Sequence, residues 1–218
     1  MTAQAPRRLR ADAARNVERI VAAAREVFTE KGAEGQLDDI ARRAGVAPAT
    51  LYRHFAGKED LILAILRRRF TEDLEPAIRR AEADPDPWSA LVTLLETALA
   101  ITAEERPIFS VARNATAFFA ITQEYFAFLW VTLRRAQDAG VVRADLTADD
   151  LPRLFTMIIG VQRLGSDFGE AIIGAQPEPA PRDGWRRYLS LLLDSLRPAA
   201  ATSLPPLHTP PPGSPATE

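Results

Sequence analysis

The chain has no cysteine, so disulfide stapling, thiolate nucleophiles and cysteine-ligated zinc or iron–sulfur centres are excluded from its chemistry. Histidine is almost as scarce. The two copies, His54 and His208, fall in a short helix-forming run and in a proline-rich tail, which leaves no histidine pair for a metal site or a catalytic triad. No glycine-rich loop of the dinucleotide- or phosphate-binding kind is present. Glu104 and Glu105 are neighbours in sequence and would not face each other on a helix, so they make no acid–base pair. Long apolar runs are missing too. No segment has the unbroken apolar length that spans a membrane, and Arg7, Arg8 and Arg10 are followed by Asp12 and Glu18 rather than by the apolar stretch of a signal peptide. These absences argue against an enzyme and against a metal or cofactor, and they make the cytoplasm the expected location.

What is present is an Ala- and Leu-rich, helix-favouring composition in 218 residues, enough for one or two domains with a sizeable core. The net charge of -2 conceals an uneven distribution. Residues 1–70 carry 14 Lys and Arg against 9 Asp and Glu, whereas residues 71–218 carry 13 against 20. A basic amino-terminal unit on an acidic remainder suits a chain of which one end meets a polyanion, because attraction to phosphate depends on the local face and not on the total.

The basic unit is organised around Leu37 to Lys58, LDDIARRAGVAPATLYRHFAGK. Leu37, Ile40, Ala41 and Ala44 return at helical spacing, and Asp38 and Asp39 put negative charge at the positive end of that helix. Gly45 supplies a left-handed bend and Val46 a plug for the angle. A second short helix begins at Pro48, whose missing N–H costs nothing in a first turn. Ala47 before it offers no capping oxygen, an omission of about 1 kcal/mol. Leu51 and Phe55 should point inward, leaving Thr50, Tyr52, Arg53 and His54 outside, with the small Pro48 and Ala49 able to approach a base edge closely. This is a helix-turn-helix pattern, and its outer groups suit phosphate and base contacts. Lys58, opening the next helix, is a further phosphate clamp. Tyr52 and His54 also have a plainer reading as surface or hinge residues of a helical bundle.

Three runs raise the specificity of that pattern: AAREVFTEKG at 23–32, DDIARRAGV at 38–46, and TLYRHF followed by GKEDL at 50–61. Together they give residues 15–66 a strong resemblance to the amino-terminal DNA-binding domain of TetR/AcrR-family transcriptional regulators. The resemblance implies an all-α homodimer, usually a repressor, whose second domain binds a small molecule and thereby weakens its hold on a palindromic operator. It also implies that Thr50, Tyr52, His54 and Lys58 occupy DNA-contact positions. The chain departs from the family pattern at Ala47, where Ser is common, and at Gln36, where Thr commonly caps the preceding helix.

The rest of the chain extends this reading. The expected architecture is all-α: a disordered basic arm (1–10), a three-helix DNA-binding domain (11–57), a helical effector-binding and dimerisation domain (58–198) entered through a shared long helix, and a disordered Pro-rich tail (199–218). Arg7, Arg8 and Arg10 either reach the DNA or serve as a solubilising tail. The shared helix runs from Lys58 toward Ala83 with a kink at Pro76. Asp86 caps a helix from Trp88 to Thr102; Pro107 starts a short helix ending before Phe118 or Phe119; a long helix fills 121–139; Thr147 caps another; and Asp183 caps the last.

Two groups of residues are expected to carry function in this second half. Trp88, Phe109, Arg113, Phe118, Phe126, Trp130, Phe155, Gln162 and Arg163 are candidates to line a pocket for a small hydrophobic or aromatic effector, although each aromatic also reads as ordinary core. Leu151, Phe155, Ile158, Trp185, Tyr188, Leu189, Leu192 and Leu196 are candidates for a two-fold dimer face, the alternative being burial within one subunit. A ligand-independent DNA-binding or protein-interaction factor of the same fold is the rival to the repressor reading, with a helical enzyme behind it.

Overall fold

Apolar residues at three- and four-residue spacing make one buried stripe of the first helix. Helix α1 (Gln4–Lys31) accordingly turns Ile20, Val21, Ala24, Val27 and Phe28 inward. The structure is a computed structural model. It describes residues 4–111, 116–163, 184–198 and 202–205, with side chains from residue 12 onward except 110, 111, 116–121 and 161–163. Among these residues all regular structure is helical.

α1 starts earlier than the sequence suggested. Residues 4–10, expected as an arm without regular structure, lie within its first turns. Leu9 and the arginines are good helix formers, and Pro6 falls in the first turn, where its missing N–H removes no bond. A 3₁₀ turn then leads to α2 (Leu37–Ala44), α3 (Pro48–His54) and α4 (Lys58–Arg69). Ile40, Ala41, Leu51, Phe55, Leu61, Ile62, Ile65 and Leu66 join the α1 stripe in one small core. Because four of those residues belong to α4, the expected division at residue 57 cuts through that core; chain order had set the boundary where packing does not.

Beyond Arg69 the chain stays helical but widens into a π-turn at Phe70–Leu74, closed by the Glu75 N–H on the Phe70 carbonyl five residues back. Helix α5 (Glu75–Ala83) follows, with Pro76 in its first turn. The expected kink is thus a widened turn just ahead of the proline. A proline ring crowds the carbonyl four residues before it, and the extra residue in the π-turn relieves that contact.

Asp86 caps α6 (Pro87–Glu104) as expected, its carboxylate accepting from the Trp88 N–H at 3.0 Å. α7 (Arg106–Val111) is followed by α8 (Thr116–Asp138), so the long helix begins five residues earlier than expected and takes in Phe118 and Phe119. Helix α9 (Asp150–Arg163) begins at Asp150, three residues after Thr147. The Asp150 carboxylate accepts from both the Thr147 N–H (2.8 Å) and its hydroxyl (2.9 Å), which is the returning half of a capping box. Helix α10 (Trp185–Ser195) has Gly184 at its start, while Asp183, its expected cap, lies outside the described residues.

The second core is built on α6. Leu91, Leu94, Leu95, Ala98 and Leu99 meet Ala77, Ile78 and Ala81 of α5, Leu129, Leu133 and Ala136 of α8, Leu151 and Ile158 of α9, and Trp185 and Leu189 of α10. Two residues of the expected tail are also held. The Thr202 carbonyl accepts from Arg143, and the Leu204 N–H donates to Asp145 at 2.9 Å. Arg143 and that N–H hold the Asp145 carboxyl well below the usual carboxylate range.

Candidate functional site

Residues 37–58 form the bend that their sequence describes. Gly45 adopts the left-handed conformation (φ 63°, ψ 39°), and the Val46 and Gly45 N–H groups return to the Ala41 and Arg42 carbonyls at 3.0 and 3.2 Å. This is a Schellman closure. The carbonyls left over are taken by a residue that the motif does not contain: Arg19, on α1, donates to the Ala44 carbonyl and to that of Gly45 at 3.0 Å. Arg19 therefore fixes the turn between the two short helices. Nothing in its own sequence position announces this, since it sits on the polar flank of α1 and its acceptors are backbone.

Further ion pairs tie α2 to α1. Arg43 makes a bidentate contact with Glu30 at 2.6 and 2.7 Å, and Lys31 donates to Asp39 at 2.7 Å. Each holds its carboxylate partner below the ordinary value. Gly35 matters sterically, because a Cβ there would lie 2.9 Å from Val27 and 3.2 Å from Phe28.

On this frame Leu51 and Phe55 are buried, which turns the other side of α3 outward. Pro48, Ala49, Tyr52, Arg53 and His54 are exposed and Thr50 half-exposed, with Tyr52 showing 53% of its surface. The helix starts from Ala47 without a side-chain cap, as its sequence implied. Lys58 is half-buried, its ammonium donating to the Ala33 carbonyl at 3.0 Å. One face thus gathers a hydroxyl, a phenol, a guanidinium and an imidazole with small residues beside them, a set able to meet phosphates and base edges.

Comparison with known proteins agrees with this geometry. Residues 20–65 match the family model described as bacterial regulatory proteins, tetR family. The HTH-type transcriptional repressor BepR of Brucella suis is 30% identical over 169 residues, which cover 75% of this chain and 72% of that protein. The chain belongs to the TetR family. The HTH-type regulator YvdT of Bacillus subtilis is 31% identical over 127 residues, covering 55% of this chain and 66% of YvdT. A TetR regulator of known structure, SCO0520 from Streptomyces coelicolor, is 27% identical with a TM-score of 0.58, over 84% of this chain and 99% of that one. The first curated relatives that the chain matches are covered over 42% to 66% of their length. TetR proteins are regulators, and among the described residues no group of three or more His, Asp or Glu is placed to hold a metal. Nor is any described helix long and apolar enough to cross a membrane.

The effector candidates are only partly brought together. Phe126 and Phe155 meet edge to face with centroids 5.8 Å apart, and the buried Tyr125 stands 5.3 Å from one and 6.2 Å from the other. The Tyr125 hydroxyl donates to the Leu94 carbonyl at 3.2 Å, and burial pushes it far above its ordinary pKa. Trp88 lies elsewhere, under the Arg197 guanidinium at 3.3 Å, and Trp130 is half-buried beside Arg134. Phe109 packs against both cores at the domain junction. Arg113 lies outside the described residues, as do the side chains of Phe118, Gln162 and Arg163. A cleft of about 1160 Å³ opens between the two domains, lined by residues that include Ala22, Arg25, Arg68, Ala103, Arg106 and Trp185. Of the described candidates, Trp88, Phe109, Phe126, Trp130 and Phe155 do not line it.

Most of the dimer candidates are placed inside the protomer. Leu151, Ile158, Trp185, Leu189 and Leu196 are buried inside the protomer, and Phe155 and Leu192 are half-buried against the same core. Helical periodicity explains this: residues that recur at three and four along α9 and α10 satisfy the subunit's own core first. The opposite faces carry Met157, Tyr188 and Leu191, exposed by 66, 42 and 60%. Of the eight expected residues, only Tyr188 stands on an exposed surface.

Proposed function

We propose that this protein is a homodimeric, sequence-specific DNA-binding repressor that a small hydrophobic or aromatic effector releases from a palindromic operator. The observation that carries the reading is the outward face of α3. A tyrosine, an arginine and a histidine are held in the open on a helix whose other side is locked into a core. The basic balance of residues 1–70 supplies the long-range attraction to a duplex.

One short helix reads only a few base pairs, so a second copy is needed for a specific site. Two heads about 34 Å apart match one turn of DNA. Met157, Tyr188 and Leu191 supply an apolar face on α9 and α10 for that pairing. The Tyr125, Phe126 and Phe155 cluster between α8 and α9 is the part of the second core best suited to an aromatic guest, since such rings accept edge and face contacts. Effector and operator oppose each other through linkage, so each weakens the other's binding by the same factor.

Tyr52→Ala and Arg53→Ala test the reading. Both should weaken binding to the preferred duplex at least about tenfold while leaving the melting temperature unchanged, because neither side chain is buried. Unchanged affinity in both variants would remove α3 from the interface. A ligand-independent factor of the same fold would instead keep operator affinity constant across every small molecule found by thermal shift to bind the protein.

A further inference from the structure

The corner between α6 and α7 is driven into the amino-terminal domain. Ile108, on α7, is fully buried in the core formed by α1 to α4, far in sequence from its other members. One turn before it, Glu105 is 1% exposed although it carries a charge that water would otherwise solvate. Its Oε1 stands 2.6 Å from Arg25 Nη2 on α1 and 3.4 Å from Arg69 Nε at the end of α4. Arg69 in turn meets Glu104 and, at 2.8 Å, Asp73 inside the π-turn.

One buried carboxylate thus joins three elements: α1, which clamps the turn between α2 and α3, the end of α4, and α6, the centre of the second core. The Arg69 Nε contact is long and lacks a well-aligned hydrogen bond, so that side of the joint is held by charge and proximity, while the 2.6 Å approach of Arg25 holds the other. A buried charge facing two cations does not tolerate losing both, which ties any shift of α6 to a shift of α1 or α4. The widened turn at Phe70–Leu74, directly after Arg69, lets the end of α4 yield.

We infer that Glu105 is an interdomain latch that fixes the orientation of the reading head on the effector domain, and thereby sets the operator spacing that the protein accepts. This rests on the proposed dimeric DNA reader for its functional half and on the geometry alone for its physical half. Without the latch each head should turn on α4, and half-sites moved apart by about 3.4 Å, one base-pair step, should still be held.

Glu105→Gln keeps the shape of the residue and removes the charge. Hydrogen exchange on the full chain without DNA should rise about tenfold at residues 66–74 and 106–111, and stay unchanged at the Leu91–Leu99 core. Unaltered exchange at the first two segments would overturn the latch. A duplex selected from a random library by the wild type, and a copy lengthened by one base pair between half-sites, read the second half. The wild type should lose about tenfold or more on the longer duplex and Glu105→Gln less than about threefold. Equal discrimination by the two proteins would also overturn it. If Glu105→Gln does not fold, Arg25→Gln, at a half-exposed position, breaks the contact to α1 alone and is measured in the same way. Should the wild type select no duplex, the exchange measurement still decides the latch, and the failed selection counts against the proposed function instead.

Discussion

Gly45 shows at the scale of one residue how sequence, backbone and neighbour combine. Its left-handed conformation costs a residue with a Cβ about 1–2 kcal/mol, and the added carbon would also lie 2.7 Å from Arg19 Nη2, the group that fixes the turn. Gly45→Ala should therefore lower the unfolding free energy by at least about 1 kcal/mol in urea and loosen the helix-turn-helix bend; unchanged stability would contradict the Arg19 clamp. Phe28 is fully buried where α1 meets Gly35, and Phe28→Ala should cost about 3–5 kcal/mol, a loss that the small core of α1 to α4 does not absorb. Its DNA binding would vanish with the fold. Tyr52→Ala, whose side chain is exposed, should lose binding with the fold intact, and that contrast separates support from contact.

Among the elements, those with a strong period were legible and those set by a distant partner were not. The α1 stripe, the Gly45 bend, the start of α3 at Pro48 and the Asp86 cap of α6 all follow from local chemistry, and the structure has them. The π-turn was misread as a kink at Pro76 because a proline signals a disturbance without saying which turn absorbs it. The faces of α9 and α10 were legible as apolar stripes but not as interior or interface, since both present the same spacing until the subunit core is known. Arg19 and Glu105 were hidden for a related reason: their partners lie 25 residues or more away in the chain. The pairs joining α1 and α2 carry a pH signature. Asp39 and Glu30 are held below their ordinary values of 3.8 and 4.5, so their contribution is complete above about pH 5 and is lost as pH falls through the lower folded-state values. Melting temperature should be level above about pH 5 and fall below about pH 4. Replacing both residues by Asn and Gln should flatten that acid limb, and an unchanged slope would exclude these pairs as its cause.

At the scale of the whole molecule, the described residues form two cores joined by α4 and by the α6–α7 corner, with the outward side of α3 on one and an exposed apolar strip on α9 and α10 of the other. Leu191→Arg, placed on that strip and away from both cores, should convert a dimer to a monomer in sedimentation at micromolar concentration without lowering helix content; persistence of the dimer would move the interface elsewhere. The central claim is that the outer side of α3 reads a duplex twice over, once per subunit. Selection from a random duplex library by the full chain, followed by a salt titration of the winning sequence, tests it most directly. The account predicts enrichment of a dyad-symmetric site bound about 10³-fold or more tightly than random DNA, with affinity falling steeply as salt rises. Equal binding to every duplex, or binding insensitive to salt, would contradict it.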